Sequence, residues 1–209
     1  MFSLQIMLGG KDKSFELLRA SADAALEAAK AVDRLARDGA SATSMATFAA
    51  VRKREKELAN EISEELINTF VTALDREDIE EMNAALYKIP KTVEKFAERY
   101  ALVADRLDGV DFGLRTEILV ACTETVAKMV AELKHSLRIG PIRKWQDRLQ
   151  ALEAEADKLL LEPYSDFYVN ATDPIQAMLT KDLLELLERA IDRCRDVGNV
   201  IYFIVLKNS

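Results

Sequence analysis

Acidic residues at helical spacing are the feature of this sequence most able to do chemistry. Glu153 and Asp157 lie four residues apart, as do Glu188 and Asp192, and Asp196 follows one turn later. Residues four apart share one face of a helix. If the two helices pack side by side, these carboxylates converge along one groove, and carboxylate oxygens on facing helices are suitable ligands for a hard or borderline cation. The predicted metal ligands are therefore Glu153, Asp157, Glu188 and Asp192, with Asp196 as an additional ligand.

The same spacing also occurs on ordinary solvated helix faces, and the chain has 36 acidic residues. The only histidine is His135, so the Glu-x-x-His motif of bundle di-iron sites is missing from the sequence. The sequence also contains no Gly-rich phosphate loop, no Ser/His/Asp set and no Cys/His cluster. We therefore predict no catalytic residues. A metal site and a solvated acidic face both stay open at this point.

Composition narrows the class of protein. Seven glycines and four prolines in 209 residues favour long helices over sheets. A net charge of -7 disfavours nucleic-acid binding, which needs a basic surface. No run reaches the roughly 20 apolar residues of a membrane helix, so direct membrane insertion is not expected. Cys122 and Cys194 are far apart in apolar contexts and are interpreted as buried free thiols, which indicates a cytoplasmic protein.

Apolar residues at helical spacing predict six long amphipathic helices with short links. The predicted ranges are 14–37, 45–70, 75–107, 114–137, 142–167 and 174–206. Such a pattern is typical of helix bundles, so the predicted fold class is all-α. Residues 108–113 (DGVDFG) are the predicted hinge between the third and fourth helices.

Local signals mark several helix ends. Asp75 is a candidate N-cap for the third helix, with Asp78 placed to reach back to it. Gly140 and Pro141 are interpreted as the end of the fourth helix and the first residue of the fifth. The sixth helix is predicted to begin with Asp173 as its cap and Pro174 in its first position.

The order of elements repeats. Residues 55–70 can be aligned with residues 152–167, and in both halves a short loop, a capping Asp and a long helix follow. We therefore predict a single domain over residues 1–209 with two internal three-helix halves, approximately 1–108 and 109–209, related by a pseudo-twofold axis.

The first half lacks the acidic residues of the second. The alignment places Lys56 and Asn60 on Glu153 and Asp157, and Tyr87 and Lys91 on Glu188 and Asp192. A cation cannot bind a lysine ammonium. At most one metal site is therefore expected, in the second half, and the first-half positions are predicted to form an internal ion-pair region.

Segments spread over nearly the whole chain resemble the PhoU-related phosphate-transport regulators, the accessory proteins of Pit-type inorganic phosphate transporters. The segments with a family-like sequence are 1–3 (MFS), 11–15 (KDKSF), 69–79 (TFVTALDREDI), 152–157 (LEAEAD), 192–200 (DRCRDVGNV) and 204–207 (IVLK). The resemblance implies two three-helix bundles and regulation rather than catalysis. It also implies multinuclear metal clusters on paired Glu/Asp-x-x-x-Asp motifs, which the second half of this chain retains.

From these observations we predict that the protein is a non-enzymatic regulatory adaptor of phosphate uptake. It is expected to bind the cytoplasmic side of a Pit-type transporter, to be peripheral to the inner face of the membrane through that partner, and to form a homo-oligomer. The expected cofactor is iron, zinc or another divalent or trivalent cation, and otherwise none. Two alternatives are a ligand-free helical scaffold or oligomerisation module and a metal-dependent phosphohydrolase, which would need metal-activated water.

Overall fold

The structure, a computed structural model, describes residues 13–39, 42–135, 137–170 and 173–209. These ranges contain six α-helices, one 3-10 turn at Ala104–Arg106 and no strand. The helices are α1 Ser14–Asp38, α2 Ala42–Asn68, α3 Arg76–Val103, α4 Gly113–His135, α5 Ile139–Asn170 and α6 Pro174–Lys207. The predicted all-α class with six long helices is confirmed. The family-like segment at residues 1–3 and the side chain of His135 lie outside the description.

The helices form two bundles of three. Helices α1, α2 and α3 pack on one another, as do α4, α5 and α6. The bundles meet through α1 against α4 and α3 against α6, so equivalent helices of the two halves face each other, as a pseudo-twofold arrangement requires. One continuous apolar core runs through both bundles. The exact boundary near residue 108 therefore stays a prediction.

Helix α1 lies at the centre because its buried face is built from alanines. Ala22, Ala25 and Ala29 are fully buried, and small side chains let a helix axis approach its neighbours closely. α1 contacts α2, α3 and α4 at once. At its end, Arg37 binds Asp33 on the same helix and Glu117 on α4, at 3.0 and 2.5 Å. This polar contact joins the two halves beside the shared core.

The predicted capping box at the start of α3 is wrong. Asp75 occupies the N-cap position, but its side chain accepts no hydrogen bond from the helix. Both carboxylates are instead bound by the Lys207 ammonium, which lies 2.6 Å from Asp75 and 3.3 Å from Asp78. A lysine at the end of α6 outcompetes the backbone because a charged donor makes the stronger hydrogen bond. The start of α3 and the end of α6 therefore lie at one end of the molecule.

The interpretation of Gly140 and Pro141 is also corrected. α5 begins at Ile139, so both residues lie in its first turn, and Gly140 does not end α4. Pro141 is tolerated there because the first N–H groups of a helix have no intrahelical partner. The prediction for α6 is confirmed: the Asp173 carboxylate accepts from the N–H groups of Ile175 and Gln176, and a proline follows it.

An aromatic cluster holds the junction between the halves. The Phe96 and Phe112 rings meet edge to face with centroids 5.7 Å apart, and Tyr100 contacts both rings. Phe96 and Phe112 are almost completely buried. The turn between α3 and α4 that carries Phe112 uses Gly109 at a φ of 74°, which a residue without Cβ adopts without strain.

Candidate functional site

The predicted metal ligands lie where α5 and α6 run antiparallel. A Cβ on Gly198 of α6 would lie 2.5 Å from the Leu149 side chain of α5, so this glycine allows the two helices to approach closely. Next to it, the Gln146 amide donates to Asn199 at 2.6 Å. Further along the same seam Glu153 faces Arg195. We call the surface beyond this point the acidic groove, which carries Glu153, Asp157, Glu188, Asp192 and Asp196.

An arginine that the sequence analysis missed lies in the acidic groove. The Arg195 guanidinium donates to the Glu153 carboxylate and lies 3.7 Å from Asp192. Asp196 is bound by Arg193 of its own helix at 2.8 Å. Arg195 was visible in the sequence, three residues after Asp192, but only the pairing of the helices shows that it faces Glu153.

The structure brings the other carboxylates within electrostatic range of one another. Partial burial raises the pKa of Glu188, and the negative charges of Asp192 and Asp157 raise it further. Partial burial also raises the pKa of Asp192; Arg195 opposes this increase, while Asp196 and Asp157 add to it. Mutual repulsion of this kind is characteristic of carboxylates that share a site. Asp157 on α5 is therefore close enough to Glu188 and Asp192 on α6 for its charge to raise their pKa values.

The arrangement does not fit a metal ion as it stands. Within the described residues, no group of three or more acidic, histidine or cysteine side chains is gathered closely enough to hold one. Arg195 supplies the positive charge between Glu153 and Asp192 that a cation would supply. A guanidinium and a metal compete for the same oxygens, so a metal would require Arg195 to leave. The metal site thus stays a prediction.

The equivalent groove of the first half carries charges of both signs. A cavity of about 370 Å³ lies between α2 and α3, and its lining includes Lys56, Asn60, Glu80 and Tyr87. The Arg52 guanidinium donates to the Tyr87 hydroxyl at 3.1 Å and lies 4.7 Å from its ring centroid. This hydrogen bond lowers the pKa of Tyr87, and the charges of Lys56 and Lys91 act in the same direction.

A buried carboxylate lies beside this groove, and the sequence analysis missed it. Glu55 is completely buried, and one of its oxygens accepts from Ser21 of α1 at 2.7 Å while the other has no hydrogen-bond partner. Burial raises its pKa to about 7. The neighbouring Arg52 binds Glu94 of α3 at 3.0 Å. Neither residue is one of the aligned positions, so the ion-pair region at Lys56 and Lys91 stays a prediction. Helical spacing did signal this position, because Glu55 lies four residues after Val51 and three before Leu58, on the apolar stripe of α2.

No protein-family model matches the chain. The UPF0111 protein YkaA of Bacillus subtilis (strain 168) is 23% identical over 145 residues, which are 69% of this chain and 70% of that protein. Two structures from Shewanella oneidensis MR-1, a PhoU-like protein and a proposed PhoU-like phosphate regulatory protein, superpose with TM-scores of 0.79 and 0.81. Each covers 93% of this chain and 99% of its own, at 15% and 16% identity.

The chain has the PhoU-like fold. PhoU from Pseudomonas aeruginosa superposes over the full length of both chains with a TM-score of 0.56 and 15% identity, so its helices are similar in order but differ more in placement. The resemblance found in the sequence is thereby confirmed at the level of the fold. The PhoU-like fold also accounts for the paired grooves, because α2–α3 and α5–α6 are equivalent helix pairs of the two halves.

Proposed function

We propose that this chain is a non-enzymatic regulator of inorganic phosphate transport that acts by binding a Pit-type transporter at the cytoplasmic face of the membrane. The observation that carries the proposal is the PhoU-like fold, shared over nearly the whole chain with a proposed phosphate regulatory protein. No helix in the described ranges is long and apolar enough to cross a membrane. Attachment to a membrane transporter would therefore use surface contacts.

Exposed apolar side chains at one end of the molecule support a protein partner. Phe70, in the loop before α3, is 96% exposed, and Ile67 beside it is 79% exposed. Phe203 and Leu206 near the end of α6 are also exposed, and Lys207 ties that helix end to the start of α3. Solvent-facing phenylalanines grouped at one end are characteristic of interaction sites. We call these four residues the apolar end.

The function is tested by phosphate uptake in the organism that encodes the chain. Deletion is expected to change the rate of radiolabelled phosphate uptake, and the wild-type chain is expected to restore it. Phe70→Ser with Phe203→Ser is expected to fail to restore it although the protein remains folded. The matched control is Leu102→Ser, an exposed leucine near the end of α3, which should complement fully. Uptake that is identical with and without the chain would refute the proposal.

The acidic groove is the proposed cation site of this regulator. In the present arrangement Arg195 neutralises Glu153 and Asp192, so we propose that iron, zinc or a similar cation binds in a state from which Arg195 has moved away. Its ligands would be Glu153, which the departure of Arg195 frees, together with Asp157, Glu188 and Asp192, the carboxylates that already influence one another. Elemental analysis of protein purified without a chelating tag tests this, with Glu188→Ala/Asp192→Ala as the variant expected to contain no metal.

A homo-oligomer is part of the proposal, because the apolar end offers a surface on which a second copy can bind. Sedimentation velocity of the wild type and of Phe70→Ser with Phe203→Ser measures this directly. We expect the wild type to sediment as more than a monomer and the variant to dissociate. If both the wild type and the variant sedimented as monomers, self-association would be refuted. The transporter partner would still be tested by the uptake experiment.

A further inference from the structure

A cavity of about 760 Å³ lies between α4 and α5, close to the turn that joins them. Lys128 and Glu132 line it from α4, and Lys144, Trp145 and Arg148 line it from α5. The α5 residues recur at i, i+1 and i+4, so they share one side of the helix. The volume is in the range of about 300–1,000 Å³ typical of small-molecule sites. The cavity is separate from both grooves described above.

The cavity carries excess positive charge. Three cationic side chains and only one carboxylate line it. Within the described part of the chain, Lys128, Lys144 and Arg148 take part in no ion pair, so their charge is available to a ligand. Gly140 and Pro141, in the first turn of α5, complete the lining. The positive end of a 32-residue helix dipole therefore adds to the field of the side chains.

The floor of the cavity is largely apolar. Trp145 is half-buried and contacts the core, and the Lys128 ammonium lies 5.3 Å from its ring centroid. The Pro141 ring and the aliphatic stems of the cationic side chains extend the apolar surface. A Cβ placed on Gly140 would meet no atom within 4 Å, so this side of the cavity is open. An apolar floor with a cationic rim suits a ligand that combines a ring with negative charge.

We propose that this cavity binds a nucleoside polyphosphate. Trp145 supplies ring surface for the base, because bases stack favourably on aromatic side chains. Lys144 and Arg148 bind the phosphate groups through charge-assisted hydrogen bonds, and Arg148 can do so with two donors. Glu132 is the one acceptor on the rim and suits a sugar hydroxyl or a base amino group. Inorganic phosphate would use only the cations and leave the apolar floor in water.

The only tryptophan of the chain, Trp145, lies in this cavity, which gives the binding assay a built-in reporter. The full chain is titrated with ATP, tripolyphosphate and adenosine, with excitation selective for tryptophan. We expect saturable quenching by ATP with a Kd below about 1 mM, and an affinity at least about tenfold lower for tripolyphosphate and for adenosine. Added salt should weaken ATP binding, because the contacts are ionic.

Two variants test the two features of the proposed site, its cationic side chains and its open volume. Lys144→Ala with Arg148→Ala should weaken ATP binding at least about tenfold. Gly140→Phe fills the cavity without removing charge and should abolish the quenching; its side chain enters open space, and circular dichroism verifies the fold. The matched control is Lys53→Ala with Arg54→Ala, two exposed cations of α2 remote from the cavity, which should bind ATP like the wild type.

Each contrary result overturns the assignment. Absence of saturation by ATP up to about 5 mM would exclude a nucleotide site of useful affinity. Tripolyphosphate that binds as tightly as ATP would make the cavity a polyphosphate site. Adenosine that binds as tightly as ATP would show that the cationic side chains do not contribute to the affinity. If Lys144→Ala with Arg148→Ala bound ATP with wild-type affinity, any bound nucleotide would lie elsewhere on the protein. The assay uses the isolated protein, so its outcome does not depend on any transporter.

Discussion

Replacement of Glu55 by glutamine should make this protein more stable, and more so at high pH. Glu55 is completely buried between α2 and α1, where Ser21 donates to one oxygen and the other oxygen has no partner. Burial raises its pKa from an ordinary 4.5 to about 7. The ionised carboxylate is therefore costly in the folded state. Glutamine has nearly the same shape, keeps an acceptor for Ser21 and carries no charge.

The sign of the pH effect follows from proton binding. Between about pH 4.5 and pH 7 the folded state holds a proton on Glu55 that the unfolded state has lost, so the wild-type free energy of unfolding falls as pH rises through this window. Glu55→Gln removes this dependence. From the two pKa values, the stability difference between variant and wild type should grow by about 2 kcal/mol from about pH 5.5 to about pH 8.5. For a chain of this size that is about 4–8 °C in Tm.

Urea unfolding followed by circular dichroism at the two pH values measures the difference. Both values lie above the pI of about 5.0, which keeps the chain negatively charged and soluble. Glu61→Gln is the matched control, an exposed glutamate on the same helix, and should change stability by less than about 0.5 kcal/mol at either pH. A variant-minus-wild-type difference that is the same at both pH values would refute the reasoning, because burial would then not govern the Glu55 charge.

Three further perturbations have expected outcomes. Asp173→Ala removes the two cap hydrogen bonds of α6 and should cost about 1 kcal/mol in urea unfolding, whereas Asp173→Asn should cost little; an Asp173→Ala variant as stable as the wild type would mean that the cap contributes nothing. Phe96→Ala leaves a cavity beside Phe112 and should cost about 3–5 kcal/mol; a loss below about 1 kcal/mol would contradict close packing at this junction. Arg195→Gln frees the acidic groove and should tighten Mn²⁺ or Zn²⁺ binding at least about tenfold in calorimetry, and unchanged affinity would show that Arg195 does not compete with a cation.

Much of the fold could be predicted because helical periodicity is a strong local signal. The starts of α1 and α6 were predicted within a residue. The predicted link at residues 108–113 contains the turn around Gly109. The hydrogen bonding at one helix end failed because a distant group intervenes. Asp75 occupies the predicted N-cap position, but Lys207, about 130 positions away, binds its carboxylate. No local pattern contains that contact.

The candidate site was predictable as a set of residues but not in its chemistry. The i, i+4 spacing singled out Asp157, Glu188 and Asp192, and the charge of Asp157 raises the pKa of the other two; their role as metal ligands stays a prediction. The spacing could not show that Arg195 turns toward Glu153, because charged residues lie on more than one face of α6. Which face meets α5 depends on how the two helices pack at their close approach near Gly198. Glu55 was missed for a different reason. It lies on the apolar stripe of α2, but a glutamate is ordinarily exposed, so its residue type outweighed its position.

Co-purification of the chain with a Pit-type phosphate transporter from its own membranes tests the proposed partner most directly. The tagged transporter is solubilised in mild detergent, and the eluate is analysed for the untagged chain. We predict that the wild type elutes with the transporter and that Phe70→Ser with Phe203→Ser does not, while Leu102→Ser does. Recovery of the transporter without the wild-type chain, at both low and high phosphate concentrations, would contradict the proposal that this chain binds a Pit-type transporter.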